Sequence, residues 1–320
     1  MTRDEKIAKL GKKITDRAAV LLGKEKLTET SPEFWGVSAG IDACGERGDD
    51  VLDVLLCMDK RKPVTTEQLV KKTGKSAQEL EEILTVAATV GLIEYHWENL
   101  DGKNPEHEKR WVLDMFVPGS AEIMMMHPDL ADNDPRVANF FERMAYLPLV
   151  GVTEMVPPGG AGIGMHVIPV EKAIPAESKS LDIEHISHWL DKYDGQLVVG
   201  VCSCRKQQRI RGEGSGDIEA EWCIGVGDFA DYMLETGKAR KITREEALTI
   251  LQQAEDRGYV HQVTNIDGEE KIFGICNCAV GVCNALRTSQ LFNTPNMSAS
   301  AYVAESDPEK CVACGKCVET

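Results

Sequence analysis

Apolar residues at three- and four-residue steps mark the first element of the chain. Ile7, Leu10, Ile14, Ala18 and Leu21 line one side of an amphipathic helix, with lysines and aspartates between them. The stretch "ETSPEFWGVSAGIDACGERGDD" that follows keeps no period and reads as an irregular connector. Order returns near residue 50. "DVLDVLLCMDK" predicts a short helix, and "TTEQLVKKTGK" a second, with Thr65 or Thr66 as N-cap and Gly74 near its end. "SAQELEEILTVAATVGLIEY" predicts a third, opened by a Ser76-to-Glu79 capping box and stopped at Gly91. "LIEYHW" and "RWVLDMF" then predict two strands around the polar turn "ENLDGKNPEHEK".

Proline and glycine punctuate residues 118 to 195. "DPRVANFFERMAYLP" has a helical pattern, "MHVIPV" that of a strand, and the methionines at 124 to 126 suit core packing better than metal binding. "PPGGAGIG" superficially resembles a phosphate loop, but Met165 stands where a third glycine is needed and a strand follows in place of a helix, so a turn is expected. "DIEHISHWLDKY" predicts a helix with His185 and His188 three apart; such a pair can bind metal, but no acidic or cysteine motif lies nearby in sequence. Beyond residue 195 the pattern repeats one device. The apolar strand "QLVVGV" runs into Cys202 and Cys204, and Cys223 follows on a helix-like segment. A helix capped by Thr243 and Glu246 intervenes, and a second strand, "KIFGI", delivers Cys276 and Cys278, with Cys283 just beyond. Neighbouring strands would bring four sulfurs to one sheet end, with Cys223 and Cys283 close by.

Composition adds the redox context. The 320 residues are 42% hydrophobic and 28% charged, which fits a globular protein of two or three domains. No apolar run is long enough to span a bilayer, and the charged N-terminus lacks the core of a secretion signal, so a cytoplasmic location is the default. In a reducing compartment, 11 cysteines in short-spaced clusters read as ligands before disulfides. Cys44 and Cys57 stand apart from the clusters and read as buried small hydrophobes or chance thiols. The net charge of −16 argues against nucleic acid as the main partner, and suits a redox partner protein or simply solubility.

Three resemblances sharpen this picture. The order helix, helix, helix, hairpin over 50–117 resembles a winged helix-turn-helix. Its third helix, however, offers Glu79, Glu81 and Glu82 and no Lys or Arg, so phosphates would repel it and a structural or protein-contact role is expected. The tail "DPEKCVACGKCVET" resembles the first half of a bacterial ferredoxin motif, Cys-x2-Cys-x2-Cys-x3-Cys-Pro, in which a tight loop wraps a cubane. Ala313 and Gly315 suit a backbone turning its N–H groups toward sulfides. The motif's fourth cysteine would fall one position past Thr320, so a sequence cut from a longer gene product is expected, the alternative being a chain that ends there with its fourth ligand drawn from elsewhere or missing. The whole of 195–320 is similar to ferredoxin-type proteins of anaerobic bacteria, which share the "CSCR" element, a lone cysteine about twenty residues on, the intervening helix, an "ICNC" element and a closing ferredoxin motif. Those relatives often carry more cysteines after the last element than the single Cys283 found here.

The expectation is an α+β protein. It would comprise an N-terminal helix and connector (1–49), a winged-helix-like domain (50–117), a linking α/β segment (118–195), a cysteine-rich α/β domain (196–304) and the start of a [4Fe–4S] ferredoxin-type domain (305–320). Cys311, Cys314 and Cys317 would hold a [4Fe–4S] cluster. Cys202, Cys204, Cys223, Cys276, Cys278 and Cys283 would hold a second iron–sulfur cluster or zinc, or remain buried thiols. The basic run Arg205, Lys206, Arg209 and Arg211 would offset thiolate charge or form a solvated loop. The implied function is electron transfer to or from an oxidoreductase partner. The alternatives are a redox-sensing regulator that uses the winged helix, and a zinc-stabilised interaction protein.

Overall fold

In the computed structural model the N-terminal half is built from helices α1 (Arg3–Ile14), α2 (Ala18–Leu21), α3 (Pro32–Ala43), α4 (Gly48–Leu56), α5 (Thr66–Thr73) and α6 (Ala77–Val90). The hairpin β1 (Glu94–His96) and β2 (Arg110–Val112) follows, and then α7 (Ala121–Met126), α8 (Leu130–Asn133) and α9 (Arg136–Val150). The structure describes residues 1–97, 108–150, 165–174, 184–213, 221–264, 271–292, 300, 302–303 and 305–315. The phosphate-loop-like stretch at 157–164, the hairpin turn and Cys317 lie outside them.

The amphipathic pattern of the first helix holds through Ile14, where α1 ends with the chain extended at Thr15; Ala18 and Leu21 belong to the separate α2. Thr65 caps α5 and Gly74 ends it in the left-handed conformation. Ser76 accepts from the Glu79 backbone at the start of α6, and Gly91 closes that helix in the same left-handed way. The expected connector after residue 29 is instead α3, a helix buried along most of its length. Its glycines explain the misreading. A β-carbon at Gly36 would stand 2.5 Å from the Phe140 ring, and one at Gly40 2.4 Å from Leu92 Cδ2. These residues weaken helix propensity but let α9 and the end of α6 press against α3. Contact with its neighbours on nearly all sides also removes the polar stripe that would have shown a period.

The C-terminal half comprises β3 (His166–Ile168), α10 (Ile186–Lys192), β4 (Leu197–Val201), α11 (Ser203–Ile210), β5 (Glu221–Val226), α12 (Gly227–Glu235), β6 (Ala239–Lys241), α13 (Arg244–Asp256), β7 (Val260–Val263), β8 (Gly274–Cys278) and α14 (Asn284–Phe292). Its six strands form one antiparallel sheet in the order β3-β7-β8-β5-β4-β6. The chain is thus an α+β protein. Alternation along the strands serves two cores. Leu197 and Val199 of β4 pack under α10 and α13, whereas Val198 joins the core of the helical half through α12. Among the described residues no helix is long and apolar enough to cross a membrane.

Two local expectations are corrected here. Cys223 lies on strand β5, not on a helix. The two Cys-x-Cys strands are not neighbours either, because β5 runs between β4 and β8. The intervening strand inserts Cys223 into the middle of the array.

Candidate functional site

Register places the thiols. In the β5–β8 pairing Cys223 stands directly opposite Cys276, so the two share a sheet face, and Cys278, two residues on, shares it as well. Ile224 and Ile275, the next pair, point the other way into the second core. A register shift between Gly200 and Val201 then ends the regular pairing of β4 with β5. Cys202 follows as the N-cap residue of α11 and Cys204 lies in that helix's first turn. Cys283 immediately precedes α14.

The six sulfurs form a closed circuit. Cys202 interacts with the Cys204 and Cys223 thiols, Cys204 also with Cys283, Cys283 with Cys278, Cys278 with Cys276, and Cys276 in turn with Cys223. None of the six is in a disulfide. The neighbouring Cys204 and Cys223 thiols hold Cys202 well below the ordinary thiol range, with the Arg205 charge and backbone N–H adding to them. Cys204 and Cys278, together with the Leu286 backbone, do the same for Cys283. The remaining four are pushed up, first by their bonds to neighbouring thiols and then by burial. The two depressed thiols, Cys202 and Cys283, each stand immediately before the first residue of a helix, where orphan N–H groups favour a thiolate. Two further donors reach sulfur: Asn284 N lies 3.4 Å from Cys204 Sγ and Gln262 Nε2 3.7 Å from Cys283 Sγ.

Of the basic run, Arg205 alone faces the thiols. It is 1% exposed, stacks 4.6 Å over the Tyr259 ring, and donates from Nη1 to Asn277 O at 3.2 Å. Its Nε and Nη2 have no hydrogen-bond partner of good geometry among the described residues. A buried guanidinium with two idle donors beside a thiol circuit fits an anionic group held there. Lys206 and Arg209 turn instead to Asp132 at 3.3 and 2.7 Å, and Arg211 to Glu213 at 3.0 Å. The run is a helix that clamps the helical half, not a solvated loop.

Among the described residues no three His, Cys, Asp or Glu side chains enclose a point for a single metal ion; the sulfurs are paired around a circuit. Cys311 and Cys314 are exposed on the tail. Cys44 is buried and donates to Gly40 O, and Cys57 is half-buried and donates to Asp53 O; neither is near the circuit. His185 Nδ1 lies 3.4 Å from Glu171 Oε1, while His188 packs edge-on against Trp189, so the two histidines have separate partners. Met124 and Met125 are fully buried in the first core.

Above the thiol face is a cavity of about 540 Å³ between the two halves of the molecule. Two residues along the same pairing from Cys223–Cys276, the sheet carries Gly225 opposite Gly274, and a β-carbon at Gly225 would stand 3.0 Å from Met233 Sδ and Val198 Cγ2, so the glycine lets α12 pack close to the sheet there. The facing wall carries Asp16, Glu94, His96, Asp114 and Glu122. Burial pushes Glu122 up to about 8, Asp114 to about 7, with the Glu94 charge adding, and Asp16 to about 6. Sequence reasoning missed this wall. Its carboxyls are scattered over a hundred residues, and no spacing connects them.

These shifts set a pH dependence of stability. Between the ordinary glutamate value of 4.5 and about 8, folded Glu122 keeps a proton that the unfolded chain has released. The unfolded state therefore binds fewer protons, and stability falls as pH rises through that window. The melting temperature is expected to drop across it, and Glu122→Gln to flatten the drop and to melt above wild type at the alkaline end. A Glu122→Gln profile parallel to wild type would contradict the assignment.

No protein-family model matches this chain, and neither a characterised protein nor a solved structure shows significant similarity to it.

Proposed function

We propose that the protein is an iron–sulfur electron-transfer protein, or the electron-transferring subunit of an oxidoreductase, acting in a reducing cytoplasm. The observation that carries this reading is the closed circuit of six free thiols, donated by β5, β8 and the entries to α11 and α14 around buried Arg205. Soft thiolate sites favour iron–sulfur clusters or zinc. Six sulfurs exceed the four that one tetrahedral zinc takes, and the idle Arg205 donors favour a larger anionic group. A cluster at this place supplies storage of single electrons. Cys202, Cys204, Cys223, Cys276, Cys278 and Cys283 would be its ligands.

Cys311, Cys314 and Cys317 would hold a second, [4Fe–4S] cluster. Ala313 at φ 51° and Gly315 at φ 81° support that reading, because a non-glycine in the left-handed region bends the loop so that successive N–H groups face one side. The helices and hairpin over 48–112 support a winged-helix-like unit with a protein-contact role. Glu79 and Glu82 of its third helix face Lys75 and Arg47 locally, and no basic residue stands on α6 to meet phosphate. The partner implied is a redox protein.

Iron and acid-labile sulfide, measured after anaerobic purification together with an EPR spectrum of the reduced sample, test this. Stoichiometric sulfide and a reduced-cluster signal are expected. Zinc without sulfide overturns the reading.

A further inference from the structure

The cavity above the thiols has a polarity that electron transfer does not require. Carboxyls come to it from four places on the helical wall: Asp16 after α1, Glu94 on β1, Asp114 after β2 and Glu122 on α7, with Asp228 at the start of α12 across from them. Glu94 is engaged with His96 Nε2 at 2.8 Å. Arg61 and Lys271, the cations that line it, are both solvent-exposed, so the buried part of the wall is acidic. Two polar atoms of the wall, Asp16 Oδ1 and His96 Nδ1, are buried with no hydrogen-bond partner among the described residues. Phe141, Met144, Phe229 and Ile272 add apolar surface to the lining. A volume of about 540 Å³ falls in the range of small-molecule sites.

We propose that this cavity binds a small organic cation with an apolar body, held between the carboxyls of the helical wall and the thiols of the sheet. The proposal goes beyond electron transfer and does not depend on which metal the thiols take. An anion such as a phosphate or carboxylate would meet the carboxyls of the helical wall as like charge. Buried carboxyls without a cation keep their protons; a bound ammonium or aromatic cation takes the place of those protons, so binding strengthens as the solution becomes more alkaline. Glu122 and Asp114, pushed up to about 8 and about 7 by burial, are the groups that exchange.

Calorimetric titration of the full chain with benzylammonium chloride, and in parallel with sodium benzoate of the same size and opposite charge, tests this. Benzylammonium is expected to bind at one site, about tenfold more tightly on the alkaline side of Glu122's titration than two pH units below it. Benzoate is expected not to bind. The paired variant Asp114→Asn/Glu122→Gln should weaken benzylammonium about tenfold or more and abolish the pH dependence. Ala145→Trp, which fills the cavity from α9, should abolish binding, with circular dichroism confirming that both variants fold. Absence of benzylammonium binding, benzoate binding of equal strength, or indifference of a folded Ala145→Trp protein would each overturn the proposal. An iron and sulfide assay on the same samples keeps this outcome separate from that of the electron-transfer reading.

Discussion

On the proposed cluster assignment, Cys223→Ala is expected to remove the upstream centre while leaving a cluster on the tail cysteines in place. Cys223 occupies the middle strand of the array, opposite Cys276 in register and beside Cys202 in the circuit, so it joins the two Cys-x-Cys elements that do not touch across the sheet. Without it the circuit opens between Cys202 and Cys276, and the five remaining thiols are joined only through Cys204, Cys283 and Cys278, so the ring that would enclose a cluster no longer closes. Iron and sulfide per chain should fall by the whole upstream share, and the reduced-state EPR spectrum should keep only the tail signal. Cys311→Ser should give the converse, loss of the tail signal with the upstream one kept. Cys44→Ala, at a buried thiol remote from the circuit, is the control and should leave both. The Cys223→Ala side chain stays small and apolar on a strand whose flanking residues are unchanged, so the far-ultraviolet spectrum should match wild type. Unchanged iron in a folded Cys223→Ala protein would remove Cys223 from the ligand set.

The circuit was legible in part because its two ends are local. An apolar strand running into Cys-x-Cys is a short-range pattern, and it occurs twice. What joins those ends is not local. β5 had to be recognised as a strand, but Glu221 at its start breaks any clean alternation, and buried strands in general resemble helix segments by periodicity alone. Its assignment comes from pairing on both sides, with β4 and with β8. The connector that became α3 failed for a related reason. Glycines at 36 and 40 lower local propensity, and only the Phe140 ring and Leu92, far along the chain, explain why they are there. The acidic cavity wall had no trace in sequence, since its residues share only a place in the fold. The hairpin and the helices before it were plain because caps at Thr65, Ser76, Gly74 and Gly91 are written into adjacent residues.

Glu33→Ala is expected to cost about 3–5 kcal/mol of folding stability, because it takes from a buried guanidinium its only fully buried counter-charge. Glu33 is fully buried at the start of α3, and Arg17 bridges it with Nε to Oε1 at 2.5 Å and Nη2 to Oε2 at 2.9 Å. Thr15 Oγ1 donates to the same carboxylate at 3.0 Å. The pair lies where α1 approaches α3 closely: a β-carbon at Gly11 would stand 3.2 Å from Glu33 Cβ, so the helices cannot separate to let water solvate the orphaned charge. Glu25, the second partner of Arg17, is 44% exposed at its side chain and cannot compensate. Glu25→Ala should therefore cost no more than about 1 kcal/mol. The double variant Arg17→Met/Glu33→Met should recover most of the loss, since removing both charges removes the desolvation penalty along with the attraction. Urea denaturation of the three variants separates the causes. A Glu33→Ala cost below about 1 kcal/mol would show that the guanidinium reaches water, and a double variant as unstable as the single would assign the loss to packing. Asp16, next to this pair, feels the Glu33 charge as well as its own burial, so Glu33→Ala should also lower the proton affinity of that end of the cavity wall. The pair that fixes α1 on α3 thus sets part of the electrostatics above the thiols.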